Sequence, residues 1–125
     1  MENVEFSKIT NEFIDKAKNI MLTKGVEYAG DADRLANFKR GAAIVGVNPE
    51  TVLFIYMAKH WDSVGSFIKS LQSGQSLSDI EKKLSEPIEG RVMDINNYLW
   101  LLNALIEERR QMEAASALMA KKIVQ

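Results

Sequence analysis

Residues 86–107 read EPIEGRVMDINNYLWLLNALIE, and this stretch decides the fold class. Ile88, Val92, Ile95, Leu99, Leu102 and Ile106 recur at intervals of three and four residues, the spacing of one face of an α-helix. A half-buried strand would alternate every second residue over a shorter run. The segment beyond Glu107 is rich in Ala, Glu, Arg and Met, all strong helix formers, so one helix is predicted from about Glu86–Pro87 to the C-terminus.

Four more helical segments lie upstream. Phe6, Ile9, Phe13, Ala17, Ile20 and Met21 form one amphipathic stripe, predicting a helix from about Phe6 to Lys24 that Gly25 ends. The stretch KGVEYAGDADR after it has two glycines and several acids without periodicity and reads as a loop. A short helix is predicted from Leu35 to about Val45, stopped by Gly46. Asn48 then offers a cap and Pro49 a first helical position for a helix reaching about Leu71, before Ser73 and Gly74. Ser78 and Glu81 match the capping box of a further short helix. No strand pattern, repeat or linker is visible. The expected fold class is all-α: a single domain over 1–125, an antiparallel helical bundle with one irregular loop and one short helical insertion.

Composition narrows the function. Hydrophobic residues make up 46% and charged residues 26%, which is globular rather than disordered. Sixteen basic residues against 17 acidic ones leave a formal charge of −1, so a nucleic-acid-binding surface is not expected. With no cysteine, disulfides, thiolate metal sites and cysteine nucleophiles are excluded. The polar start MENVEFSKIT does not resemble a signal or transit peptide, and the longest apolar run, 51–58, is too short to cross a bilayer, so a cytoplasmic protein without a membrane partner is expected. Phosphate loops, nucleophile elbows, HExxH and dinucleotide fingerprints are all missing.

Chemistry is expected where polar residues interrupt apolar helical faces. Val52 to Ala58 are apolar throughout, which predicts burial by the core and by a second subunit, and hence a homo-oligomer built on a dimer. Lys59 follows Ile55 and Tyr56 on the same face, where a lysine must snorkel, pair with a carboxylate or meet an anion, and His60 is its neighbour. Arg91, Asp94 and Tyr98 are spaced three and four apart, with Asn97 close by. An exposed Arg91–Asp94 pair would contribute only about 0.2–0.5 kcal/mol, too little to account for polar groups inside an apolar stripe. In the predicted loop, Lys24, Glu27 and Tyr28 precede Asn37 and Phe38, whose amide and ring suit a base. Lys59, Arg91 and Asp94 are therefore expected to converge beneath the 24–38 segment.

The ordered segments KGVEYAG (24–30), NFKRGA (37–42), KHWDS (59–63) and EPIEGRVMDINNYLWLLNAL (86–105) resemble the phage and prophage proteins of the nucleotide modification associated domain family. Those proteins are distantly similar to the all-α NTP pyrophosphohydrolases of the MazG and dUTPase type. The resemblance implies a MazG-like helical bundle, an oligomer, a nucleotide ligand and a phage origin, with the host cytoplasm as location. The related enzymes hold magnesium between ExxE and ExxD pairs, as suits a hard cation needing oxygen ligands. Glu12 and Asp15 have the ExxD form here, while Arg91 stands where the glutamate before Asp94 would be. A guanidinium suits a phosphate better than a metal.

Two readings follow. In the first, a magnesium-dependent enzyme processes (deoxy)nucleoside phosphates, with Asp94 and Glu27 on the metal and Lys59 and Arg91 on phosphate charge. In the second, the same pocket of Lys24, Glu27, Tyr28, Asn37, Phe38, Lys59, His60, Arg91, Asp94, Asn97 and Tyr98 binds a nucleotide without turnover. Such a protein would serve counter-defence by sequestering a host signalling nucleotide; inhibition of a host protein is a further alternative.

Overall fold

A computed structural model describes residues 1–29 and 33–124, and of 26–29 the backbone alone. Five helices follow one another: α1 (Asn3–Ala29), α2 (Ala36–Val45), α3 (Pro49–Gln72), α4 (Leu77–Lys82) and α5 (Ile88–Val124), with no strand among the described residues. The all-α class is as the spacing predicts. No single described helix is long and apolar enough to cross a membrane.

The core is built at the α2–α3 corner and closed by α5. Leu35, Phe38 and Ala42 from the α2 segment meet Val52 and Leu53 of α3 and Leu105 of α5, and Tyr98, Leu101 and Leu102 pack against them. The chain bends by 102° between α2 and α3. Gly46 makes this bend, with φ 78°, a left-handed value that costs glycine little, and its N–H donates to the Ala42 carbonyl at 2.8 Å. Gly41 lets the two helices approach, since a Cβ there would lie 3.1 Å from Val52 Cγ1. Helix α3 packs most extensively on α5, and α4 lies against α3 with Ile80 buried.

Several local expectations need correction. Gly25 does not end the first helix, which runs on to Ala29, so residues 24–29 are helical rather than loop. A glycine inside a helix costs only about 1 kcal/mol, and Gly25 leaves room for another side chain, as described below. The remainder of the predicted loop at 30–32 lies outside the described residues. The short insertion is capped two residues earlier than predicted: Ser76 Oγ accepts the Asp79 N–H at 3.1 Å, and Ser78 lies inside α4. On α5 the inward residues are Ile88, Met93, Ile95 and Leu105, whereas Val92, Leu99 and Ile106 of the predicted inner stripe are exposed. Ile88 and Ile106 lie five whole turns apart on one line of the helix, so the difference reflects which neighbours cover α5 along its length rather than the phase of the stripe. On α3 only Val52 and Leu53 of the apolar run are buried; Phe54, Ile55 and Tyr56 are exposed. Phe6 and Ile9 of α1 are exposed too, while Ala17 is fully buried.

Ion pairs fasten α5 across the α2–α3 corner. Arg109 donates to both carboxylate oxygens of Glu50 at 2.8 Å, and Lys39 lies 2.8 Å from Asp33 and 2.6 Å from Glu108. The Asp33 carboxylate also accepts the Leu35 N–H at 2.9 Å, anchoring the entry to α2. The Arg109 guanidinium holds the Glu50 carboxyl below its ordinary value of 4.5, and Lys39, then the Leu35 amide, holds that of Asp33 below 3.8. Carboxyls lowered in the fold stabilise it fully above their unfolded values, and that contribution disappears as they protonate on acidification. The melting temperature is therefore expected to fall between about pH 5 and about pH 3. In Glu50→Gln a thermal melt series over that range should show a shallower fall. An equally steep fall would rule out the Glu50–Arg109 pair as its source.

Candidate functional site

A cleft of about 340 Å³ opens where α1, α2, α3 and α5 meet. This lies within the range of about 300–1,000 Å³ usual for small-molecule sites. Ile20, Met21, Lys24 and Gly25 of α1 form one wall, and Asp94, Asn97, Tyr98 and Leu101 of α5 the opposite one. Arg34 comes from the turn before α2, Asn37 and Phe38 from the first turn of α2, and Tyr56 from α3. The α5 residues recur at three- and four-residue spacing, so one helical line delivers an acid, an amide, a phenol and a leucine to the cleft. The Phe38 and Tyr56 rings lie 6.2 Å apart and tilted by 49°, giving the cleft an aromatic side.

Charge within the lining is mixed: two cations, Lys24 and Arg34, and one carboxylate, Asp94. Arg34 reaches back over α1 and donates from Nη2 to the Met21 carbonyl. Its guanidinium occupies the space beside Gly25, where a Cβ would overlap it. Gly25 is thus a helical glycine whose missing side chain admits an arginine to the cleft wall. In Gly25→Ala the helix gains about 1 kcal/mol of propensity, while the flexible end of Arg34 has to move aside for the new methyl group. The net expectation is a protein at least as stable as the wild type that binds anions more weakly, read by thermal melts and titration. A more stable variant with unchanged binding would show that Arg34 does not depend on this gap.

His60 borders the cleft from α3. Its Nδ1 lies 3.5 Å from Asp94 Oδ2, and its ring centroid is 5.3 Å from that of Tyr98. Burial, with Asp94 and then Tyr56 beside it, raises the Tyr98 hydroxyl above its ordinary value, so it remains a protonated donor at neutral pH. Asn37 accepts from Arg40 Nη2 through Oδ1, which leaves its amide N–H groups available. Asn97 has a buried Oδ1 without a hydrogen-bond partner among the described residues, and so has Asn96 Nδ2. A buried polar atom without a partner costs about 1–3 kcal/mol, so an amide in this state at a cleft wall needs a reason.

Of the residues singled out in the sequence, the structure gathers Lys24, Asn37, Phe38, Asp94, Asn97 and Tyr98 around one cleft, with His60 at its edge. It does not gather Lys59 and Arg91 there. Lys59 is exposed, because the face it continues, through Ile55 and Tyr56, is itself exposed. Arg91 turns toward the start of α5, where its Nε lies 3.8 Å from Glu86 Oε1. Lys59, Arg91 and Asp94 therefore do not form one charged cluster. The side chains of Glu27 and Tyr28 lie outside the described residues. Arg34 belongs to the 24–34 loop segment of the sequence reading without an assigned role there, and Tyr56 reads as one of a run of core residues. The pairing of Gly25 with a nearby arginine has no sequence signature.

Magnesium requires several oxygen donors. Among the described residues no three of His, Asp and Glu come together, and Asp94 is the one carboxylate on the cleft, with His60 beside it. The described donors do not by themselves constitute a magnesium site. Glu12 and Asp15 are exposed on the N-terminal half of α1. A second hollow, between Lys39, Glu50, Leu105, Glu108 and Arg109, is spanned by the ion pairs that fasten α5.

No family model, no curated protein and no solved structure matches this chain. Three of the four segments quoted from the sequence line the cleft. KGVEYAG supplies Lys24 and Gly25, NFKRGA supplies Asn37 and Phe38, and the 86–105 segment supplies Asp94, Asn97, Tyr98 and Leu101. KHWDS brings His60 against Asp94.

Proposed function

We propose that this cleft binds a nucleotide or a nucleotide-derived small molecule. The observation that carries the reading is the buried amide oxygen of Asn97, without a hydrogen-bond partner among the described residues, on a wall shared with aromatic rings and two cations. A terminal amide rotates over a broad range about its last χ angle, so the Asn97 oxygen turns readily to accept an N–H from a base. Tyr98, Phe38 and Tyr56 offer ring faces and edges to the base, and Lys24 and Arg34 neutralise the anionic end. Tyr98 and Asn37 add donors for a sugar or a base edge.

With two cations and one carboxylate, the described lining suits retention of an anion better than metal-assisted hydrolysis. This supports the binding version of the reading, in which a phage-encoded protein holds a host nucleotide, over a pyrophosphohydrolase. The MazG-like antiparallel arrangement and the host-cytoplasmic setting belong to the same proposal and are supported by the quoted motifs.

Isothermal titration against mono-, di-, tri- and cyclic nucleotides, each with and without magnesium, tests it. At least one is expected to bind with micromolar or tighter affinity. Lys24→Ala should weaken that binding by about 1.5–3 kcal/mol, the range for a hydrogen bond to a charged group. If none of the panel binds, or if the variant binds as well as the wild type, the nucleotide reading fails. Strict dependence on magnesium, with product formation, would restore the enzymatic version.

A further inference from the structure

The outward side of α3 carries an ordered apolar stripe that the cleft does not use. Phe54, Trp61 and Ile68 are 64%, 66% and 57% exposed and stand seven residues apart, two helical turns each. Ala58 and Gly65 lie between them on the same line, and a Cβ at Gly65 would meet nothing within 4 Å. Large and small residues thus alternate along about four turns in the heptad order of a helix–helix seam. Trp61 is a rigid and costly group to leave in water, and a bare glycine one turn away is the kind of hole that receives such a knob.

The exposed area says how much is left uncovered. The chain has 9474 Å² of accessible surface. A folded monomer of this mass is expected to expose about 6,700 Å², so the excess is about 2,700 Å². Interfaces of obligate assemblies total about 2,000–5,000 Å² or more, about 1,000–2,500 Å² per subunit, so the excess, which α1 and α5 share with the α3 stripe, is large enough for such an interface.

We infer that the Phe54–Ile68 stripe of α3 is the seam to a second copy of this chain, the two α3 helices crossing antiparallel about a two-fold axis. A stripe that alternates large and small residues is complementary to itself when reversed and shifted by one turn, which leaves Phe54 at the end of the seam opposite Gln72. Trp61 of one copy then sits on Gly65 of the other, and Ile68 on Ala58, with the same contacts repeated by symmetry. Nothing in this assignment depends on the ligand in the cleft.

Light scattering at micromolar concentration is expected to give at least twice the chain mass of 14.1 kDa for the wild type. Trp61→Glu and Gly65→Leu should each halve the wild-type mass or reduce it further while circular dichroism remains helical. Gly65→Leu is the decisive variant, because the open space at Gly65 makes the substitution harmless to an isolated chain. It carries the test alone if Trp61→Glu loses its helicity. A wild-type mass of 14.1 kDa would overturn the inference. So would a Gly65→Leu protein that keeps the wild-type mass. A wild-type monomer that sediments with phosphatidylcholine–phosphatidylglycerol vesicles would assign the stripe to a bilayer instead, and equally overturn it.

Discussion

Asn97→Leu is expected to make the ligand-free protein more stable and to weaken nucleotide binding about ten- to a hundredfold, equivalent to about 1.4–2.7 kcal/mol. The substitution keeps the branching of the side chain, with two somewhat bulkier methyl groups in place of the amide, and removes the buried oxygen that has no partner among the described residues. Replacing such an atom by apolar groups relieves a penalty of about 1–3 kcal/mol, so the melting temperature should rise by several degrees. The same oxygen is the acceptor assigned to the base, and its loss leaves a bound N–H facing hydrocarbon. Stability and affinity thus move in opposite directions, the pattern of a residue retained for binding rather than folding. Both quantities come from one pair of experiments, thermal melts and titration. A variant that loses stability would mean that Asn97 is a structural amide with a partner supplied by water. A variant more stable and equally tight would remove Asn97 from the ligand site.

Leu53→Ala should have the largest effect on stability, about 3–5 kcal/mol. Leu53 is the largest side chain the fold buries completely, at 0% exposure, in the cluster where α2, α3 and α5 meet. Its replacement removes three heavy atoms and leaves a cavity bounded by helices fixed at the Gly46 turn and at the ion pairs to α5, so collapse around it is restricted. Domains are stable by only about 5–15 kcal/mol, so a large share of the total is lost. Denaturant titration should show the midpoint falling with little change in slope. Phe54→Ala, one residue on, is expected to cost the isolated chain less than 1 kcal/mol, because Phe54 is exposed. The contrast between these neighbours measures how sharply α3 is divided between core and surface.

Helix content and order were legible because three-to-four periodicity, Pro49 and Gly46 are local signals, and the structure puts α2, α3 and α5 within a residue or two of the predicted bounds. The side of each helix that faces inward was less legible. Val52–Ala58 carries no polar residue to mark its wet side, so burial all round was the natural inference, whereas the fold covers Val52 and Leu53 and exposes the next three. Gly25 misled for a related reason. A glycine after an amphipathic stripe is the ordinary sign of a helix end, whereas here the helix runs on to Ala29 and the end of Arg34 lies beside the glycine. At the cleft, the polar residues on α5 were found through their intrusion into an apolar pattern. Lys59 and Arg91 intrude in the same way but meet solvent and Glu86. Intrusion identifies a residue that needs an explanation without saying which neighbour supplies it.

Helix α5 carries the cleft wall (Asp94, Asn97, Tyr98, Leu101), the core residue Leu105 and the clamp residue Arg109 in one unbroken helix. At 1.5 Å per residue, Asn97 and Leu105 are about 12 Å apart along the axis. A helix of this kind transmits displacement as a stiff rod. Whatever shifts its seat at Leu105, or slackens its tether at Glu50–Arg109, tilts the wall against which the proposed ligand would rest. Repacking the core should therefore retune affinity from a distance, without any change to a group that touches the ligand.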